Sequence, residues 1–169
     1  ERDLIVGNAQ RREARDALAT ARRMRARLEQ RQADLTELVE RTVRTVQPAP
    51  RYAVPDVAAL GPVPSTPAAI TAYLDRLERV SRAIGFAEKE YAEALDEHDD
   101  LLALLEALVV KARAIGVADQ EDVRLAEQQA RSVLGREPCP MPLASQLVTT
   151  YQSWTDTAPI PRTRGRETA

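Results

Sequence analysis

The single histidine of the chain, His98, lies in the acidic run Asp-Glu-His-Asp-Asp over 96–100, and imidazole with carboxylates is a ligand set that metals use. A metal site would need a second His or Cys at helical spacing, and there is none. The neighbouring carboxylates would also point around a helix rather than to one point. The alternative is a histidine packed in a helix seam, and we expect this one, with no metal site and no cofactor.

The single cysteine, Cys139, lies between Pro138 and Pro140. A thiol attacks as its thiolate, which requires a neighbouring base or positive charge. His98 is far away in the sequence, and no oxyanion loop is recognisable. We therefore expect a buried, small apolar side chain that anchors its loop. No catalytic residue is predicted, and the protein is expected not to be an enzyme.

The run Arg-Arg-Met-Arg-Ala-Arg over 22–27 could bind phosphate or anionic lipid. At these spacings the arginines cover several faces of a helix, so we predict a solvated surface that pairs with acidic groups of the second long helix. The net charge of −2 gives no overall attraction to nucleic acid, and no nucleic-acid partner is expected.

The composition indicates which elements carry these residues. Hydrophobic residues make up 44% of the chain but aromatic residues only 4%, as in helices that pack through thin aliphatic seams. We predict an all-α fold, an elongated antiparallel helical bundle or coiled coil with two long helices plus a short helical hairpin. Sheet architectures are excluded.

Two long segments, helix one over 1–46 and helix two over 68–116, repeat apolar residues at alternating spacings of three and four. Polar residues at a few of these positions are expected to fix register at a cost in stability. The seam of helix one is Leu4, Gly7, Arg11, Ala14, Leu18, Ala21, Arg25, Leu28, Gln32, Leu35, Val39, Thr42 and Val46. That of helix two is Tyr73, Leu77, Val80, Ile84, Ala87, Tyr91, Ala94, His98, Leu101, Leu105, Leu108, Ala112 and Ile115.

Shorter helices follow. Gly116 is expected to end helix two in a left-handed conformation, and Asp119 to cap a third helix that ends at Gly135. After a proline-rich break, a fourth helix completes a hairpin with the third. We predict one helical domain over 1–158 and a flexible tail over 159–169. The apolar face of the fourth helix is Leu143, Leu147, Val148, Tyr151 and Trp154.

The segment over 47–67, called the strap below, contains six of the eleven prolines. A connection between antiparallel helices usually needs about two to eight residues, and the strap is far longer. It either runs back along helix one, making the long helices parallel, or caps an antiparallel hairpin. We predict the antiparallel arrangement because up-down neighbours are common in bundles.

The strap is also the predicted partner-binding site. Its prolines lower the entropy lost when it is ordered by a partner. Arg51, Tyr52 and Asp56 combine an aromatic ring with charges on either side, as interface residues often do. We therefore assign partner binding to these three residues.

A family resemblance lies between Lys111 and Trp154, in the motif Ala-x-x-Ile-Gly, an acidic helix start, the break Pro-Cys-x-x-Pro and a helix closing on Tyr and Trp. This segment resembles the helical domain of GlnX-type actinobacterial membrane sensors, encoded beside protein kinase G. The resemblance implies membrane helices around a coiled-coil domain. It also implies a glutamine-binding lipoprotein as the partner outside the cell and a Ser/Thr kinase that receives the signal inside.

We accordingly predict a non-enzymatic interaction and signal-relay domain of a membrane sensor, tethered to the membrane in the full-length protein and extracytoplasmic. A homodimer is considered. Arg162, Arg164 and Arg166 would suit a cytoplasmic flank, which keeps the other side of the membrane open. The alternative function is a structural coiled-coil scaffold or adaptor with no sensory role.

Overall fold

The structure of the protein, a computed structural model, describes residues 2–159, with side chains from residue 7 on. About 80% of these residues are helical, which confirms the predicted all-α class. A parallel pair of two-residue strands, with Val46 opposite Cys139, was not predicted. In chain order the elements are α1 (Arg2–Thr45), β1 (Val46–Gln47), a 3-10 helix (Val57–Leu60), α2 (Pro67–Ala114), α3 (Glu121–Leu134), β2 (Cys139–Pro140) and α4 (Met141–Thr157).

The chain divides into two compact units. Of the described residues, unit 1 comprises 2–40 and 50–92, and unit 2 comprises 41–49 and 93–159. The helices α1 and α2 each contribute residues to both units.

The contacts between α1 and α2 in unit 1 advance along both helices in the same direction. Arg25 donates a hydrogen bond to the Tyr73 hydroxyl at 2.6 Å. Further along α1, Arg31 donates to Ser81 at 3.0 Å and to Glu88 at 2.7 Å. In an antiparallel pair, the later residue of α1 would meet the earlier residues of α2. The two helices are therefore parallel in unit 1, and the predicted antiparallel arrangement is wrong.

The strap gives the physical reason for the parallel arrangement. Near its start, Tyr52 is hydrogen-bonded to Tyr91 of α2, and towards its end Gly61 is hydrogen-bonded to Tyr73. Tyr73 lies about five helical turns before Tyr91. The strap thus runs back along α2, which a short hairpin loop could not do.

One apolar core joins α1, the strap and α2 in unit 1. Every predicted seam position with a described side chain is buried or half-buried except Arg11, which is exposed and donates to the Gly7 carbonyl at 3.0 Å. Arg25 is level with Tyr73, and α2 begins only at Pro67, so Arg11 lies well before the start of α2. The buried residues of this core are Ala21, Leu28, Leu35, Val57, Ile70, Tyr73, Leu77, Ile84, Ala87 and Tyr91.

Unit 2 has its own core, formed by the last part of α2, by α3 and by α4. The helices α3 and α4 pack against each other and form the predicted hairpin. Cys139, in β2, is buried in the same core, as predicted. The other buried residues are Leu105, Leu108, Val109, Ala112, Val117, Val123, Ala126, Ala130, Val133, Leu134, Ala144, Val148 and Tyr151.

The end of α2 agrees with the sequence prediction, whereas the start of α3 differs from it. Gly116 has a φ of 75°, the left-handed conformation predicted after α2. Asp119 is not the cap of α3, because the helix begins later, at Glu121, and its N-cap residue is Gln120. Glu121 and Asp122 place negative charge in the first turn, where the helix dipole stabilises it.

Two further points concern membrane-spanning helices and the predicted domain bounds. Within residues 2–159, no helix is both long and apolar enough to cross a membrane. The predicted tail over 159–169 lies outside the described residues except for Pro159, and the single domain over 1–158 stays a prediction.

Candidate interaction site

Two polar residues in the seam of α1, Arg25 and Gln32, hold the backbone of the strap. Gln32 Oε1 accepts a hydrogen bond at 2.8 Å from the N–H of Val57, the buried first residue of the 3-10 helix. Arg25 Nη1 donates to the carbonyl of Gly61, which follows that helix. These side chains therefore satisfy strap backbone groups that have lost water, a role that the seam pattern did not predict.

Two tyrosines of α2 hold the strap from the other side. The Tyr91 hydroxyl accepts a hydrogen bond from the Tyr52 N–H at 3.1 Å and donates to the Tyr52 carbonyl at 3.0 Å. The Tyr73 hydroxyl donates to the Gly61 carbonyl at 3.1 Å. Gly61 has a φ of 73°, a conformation that favours glycine. The strap is thus fastened to both long helices along its length.

The three residues predicted to bind a partner lie in the first part of the strap. Arg51 and Asp56 are exposed. The Asp56 carboxylate accepts a hydrogen bond from the Ala58 N–H at 2.9 Å and caps the 3-10 helix, so it has a structural task. Tyr52 is 41% exposed, and its ring packs edge to face on Phe86 with centroids 5.0 Å apart. Tyr52 and Phe86 are called the aromatic pair below.

Phe86 was missed in the sequence analysis. It is the single phenylalanine of the chain and is 52% exposed. A signal was available, because Phe86 lies between the seam positions Ile84 and Ala87 and so must face away from the seam. The two rings of the aromatic pair are thus exposed side by side on unit 1.

Arg31 makes an ionic contact between α1 and α2. Its guanidinium donates to both carboxylate oxygens of Glu88, at 3.0 and 2.7 Å, and to the Ser81 hydroxyl at 3.0 Å. The hydrogen bond to Glu88 raises the pKa of Arg31. A Cβ atom at Gly85 would lie 3.4 Å from Arg31 Nη2, so the guanidinium passes closely over this glycine. Gly85 thus marks a close approach of a side chain from α1.

The arginine run over 22–27 was predicted to form a solvated surface, and Arg25 is the arginine that departs from this prediction. Arg22, Arg23 and Arg27 are exposed, in keeping with a solvated surface. Arg25 turns towards the strap and also forms an ion pair with Glu29 of its own helix at 2.8 Å. The hydrogen bonds to Glu29 and Tyr73 raise the pKa of Arg25.

His98 is a largely buried residue of α2, with 12% of its side chain exposed. Its Nδ1 lies 3.4 Å from Asp99 Oδ1, and its Nε2 lies 3.5 Å from the Leu134 carbonyl oxygen in unit 2. In the described part of the chain, no group of three His, Cys, Asp or Glu side chains could hold a metal ion.

Cys139 is fully buried, and burial raises the pKa of its thiol. The thiol form is therefore favoured over the reactive thiolate. The geometry assigns Cys139 to the core of unit 2.

Comparison with known proteins gives no relative of this chain. No protein-family model, no curated protein and no solved structure matches it. The likeness to GlnX-type sensors therefore depends on the motifs between Lys111 and Trp154.

Proposed function

We propose that this chain is a non-enzymatic interaction and signal-relay domain of a GlnX-type membrane sensor. In this proposal, the domain lies outside the cytoplasm and binds a glutamine-binding lipoprotein. Amino-acid availability is then communicated to a Ser/Thr kinase inside the cell. The observation that carries the proposal is the fastening of the strap, which has exposed side chains at Arg51 and Tyr52, to both long helices.

The strap supplies a physical route for the signal. A partner that binds the exposed side chains of Arg51 and Tyr52 acts on a segment whose backbone is held by Gln32 of α1 and by Tyr91 of α2. A displacement of the strap would therefore change contacts on both helices at once. Because packed helices shift as rigid elements, such a change is carried along their length.

The packing of the two long helices belongs to the same proposal. Their seams follow heptad spacing, and we propose coiled-coil packing for the parallel segments of α1 and α2 in unit 1. The polar seam residues Arg25 and Gln32 bond to the strap, so part of the stability of this packing depends on where the strap lies.

A scaffold without sensory function is the second candidate. It is favoured by the internal bonds of the strap, since Asp56 caps the 3-10 helix and the Tyr52 backbone is bonded to Tyr91. On this alternative the strap is a permanent brace between the helices, and its exposed side chains have no partner protein.

Capture of the glutamine-binding lipoprotein distinguishes the two functions. The chain is immobilised and presented with the lipoprotein in the presence and absence of glutamine. The relay function predicts glutamine-dependent capture that Tyr52→Ala weakens at least tenfold. Leu125→Ala, on an exposed residue of α3 in unit 2, is the matched control and should leave capture unchanged. Absence of capture under every amino-acid condition would favour the scaffold.

A further inference from the structure

A cleft of about 440 Å³, called the arginine cleft below, lies between α1 and α2 in unit 1. Three arginines of α1, Arg23, Arg27 and Arg31, line it and share one face of the helix, because they are spaced four residues apart. Thr20 of α1 and Ser81 of α2 contribute two hydroxyl groups. Among the described residues that line the arginine cleft, none is acidic. It therefore combines several hydrogen-bond donors with positive charge.

The two hydroxyl groups hold the outer arginines of this row. Arg23 Nη2 donates to Thr20 Oγ1 at 3.2 Å, and Arg31 Nη1 donates to Ser81 Oγ at 3.0 Å. Each hydroxyl is the acceptor in its bond and keeps its own proton for donation to a ligand. The side chain of Arg27, between the other two arginines, has no hydrogen bond or ion pair with another described residue. Its guanidinium is therefore available to a ligand.

The protein neutralises the arginines of the cleft only in part. Glu88 of α2 accepts from Arg31 with both carboxylate oxygens, at 3.0 and 2.7 Å, and balances its charge. Arg23 and Arg27 form no ion pair within the described part of the chain. Two positive charges therefore remain in the arginine cleft.

The charged residues beside the cleft do not cancel these two charges. Within four residues of the lining positions, α1 carries three carboxylates and two arginines, namely Asp16, Glu29, Asp34, Arg22 and Arg25. On α2 the corresponding residues are one carboxylate and two arginines, namely Glu78, Arg79 and Arg82. The strap carries one charge of each sign, on Arg51 and Asp56. Since these neighbours sum to zero, the cleft keeps an excess of two positive charges.

One wall of the arginine cleft is apolar, and its size fits more than a bare ion. Met24, which is half-buried, and Leu28, which is buried, form this wall. Sites for small molecules have volumes of roughly 300–1,000 Å³. Guanidinium groups bind phosphate oxygens through pairs of parallel hydrogen bonds. A phosphate ester with an apolar substituent therefore matches the donors, the charge and the apolar wall.

We propose that the arginine cleft binds a phosphate ester. Its phosphate group is bound by Arg23 and Arg27 and accepts a hydrogen bond from the Ser81 hydroxyl. Its organic part packs on Met24 and Leu28. A soluble phosphate ester and an anionic lipid headgroup share this chemistry, and the two arms of the experiment distinguish them. This inference goes beyond the proposed function and does not depend on the lipoprotein.

The first arm measures binding of inorganic phosphate to the full chain by isothermal titration calorimetry at constant ionic strength. The parent should bind phosphate saturably, and Arg27→Gln should weaken binding at least fivefold. Arg23→Gln is a second variant with the same expected effect. Arg22→Gln is the matched control, because it removes the same charge from an exposed residue of α1 that does not line the cleft, and it should leave binding unchanged. Circular dichroism checks that each variant retains its helices.

The second arm measures co-sedimentation of the full chain with vesicles of phosphatidylglycerol or of phosphatidylcholine. Binding to phosphatidylglycerol vesicles that Arg27→Gln reduces, and that Arg22→Gln does not, assigns the cleft to a lipid headgroup. Phosphate binding without vesicle binding assigns it to a soluble phosphate ester. A parent chain that binds neither probe would overturn the proposal. Equal weakening by Arg27→Gln and Arg22→Gln would overturn it too, since it would show only a general attraction to an arginine-rich helix.

Discussion

Gln32 on α1 accepts a hydrogen bond at 2.8 Å from the backbone N–H of Val57, so a polar residue of the helix seam is bonded to the strap. Val57 is fully buried and Gln32 is half-buried. A buried N–H without an acceptor costs about 1–3 kcal/mol. Gln32 therefore stabilises the path of the strap, in addition to any effect on helix register.

The first prediction concerns this bond. Leucine usually packs better than glutamine in a helix seam, but Gln32→Leu should lower the free energy of unfolding by about 1–3 kcal/mol, because it leaves the Val57 N–H without an acceptor. Urea unfolding followed by circular dichroism measures the loss. Gln30→Leu, on the exposed face of α1, is the control and should change the free energy by less than about 0.5 kcal/mol. A Gln32→Leu chain more stable than the parent would refute the assignment.

A second prediction compares two buried tyrosines. The Tyr91 hydroxyl bonds to both backbone groups of Tyr52, whereas the buried Tyr151 hydroxyl has no hydrogen-bond partner among the described residues. Tyr91→Phe should lower the free energy of unfolding by about 1–2 kcal/mol, and Tyr151→Phe should be neutral or stabilising, because a buried unpaired hydroxyl is costly. The same urea unfolding experiment measures both, and equal losses would contradict the prediction.

The third prediction is a pH dependence in unit 2. Arg131 of α3 is paired with Glu106 of α2, and the hydrogen bond from Arg131 lowers the pKa of Glu106 below 4.5. The pair therefore stabilises the fold fully above that ordinary pKa, and the contribution is lost as the pH falls through the lowered value. Glu106→Gln should make unfolding less dependent on pH in this acid range.

Both side chains of that pair are exposed, so the effect should be small. Urea unfolding at a series of acid pH values measures it, with Glu37→Gln of α1 as the control. An unchanged slope of stability against pH in Glu106→Gln would show that the pair has no role in the acid response.

The fourth prediction concerns His98. Its contacts, at 3.4 and 3.5 Å, are too long to be strong hydrogen bonds, and its side chain is largely buried. His98→Leu should leave the melting temperature unchanged or raise it, because an apolar seam residue replaces a polar one. Added zinc should not shift melting of the parent chain. A zinc-dependent rise that His98→Leu abolishes would establish a metal site instead.

The buried faces of the two long helices were predictable, because heptad spacing determines which side chains of a helix lie together. The core positions Leu28, Leu35, Leu77 and Ile84 follow directly from that spacing. The predicted apolar face of α4 was wrong at Leu143 and Trp154, which are exposed. The direction of α2 relative to α1 was not predictable, since a seam is equally apolar for a parallel and an antiparallel neighbour. What decides it is the hydrogen bonding of the strap, which depends on contacts between residues far apart in sequence.

Of the candidate site, the sequence indicates only features local to one segment, because contacts between distant segments leave no local pattern. Tyr52 was recognised as an aromatic ring in a proline-rich segment, and it is exposed. Its neighbour Phe86 lies on another element, and nothing local to the strap indicates that the two rings meet. Likewise, the sequence does not show that Asp56 caps a 3-10 helix, whose first residue, Val57, is bonded to Gln32 of another element.

The central claim is that a partner acts on both long helices through the strap. Hydrogen exchange of the chain, measured by mass spectrometry with and without the glutamine-loaded lipoprotein, tests it most directly. The relay function predicts that binding changes the exchange of the Tyr52 and Val57 amides, which Tyr91 and Gln32 hold, together with that of the adjoining turns of α1 and α2. Binding that leaves the exchange of the strap and of both helices unchanged would contradict the claim.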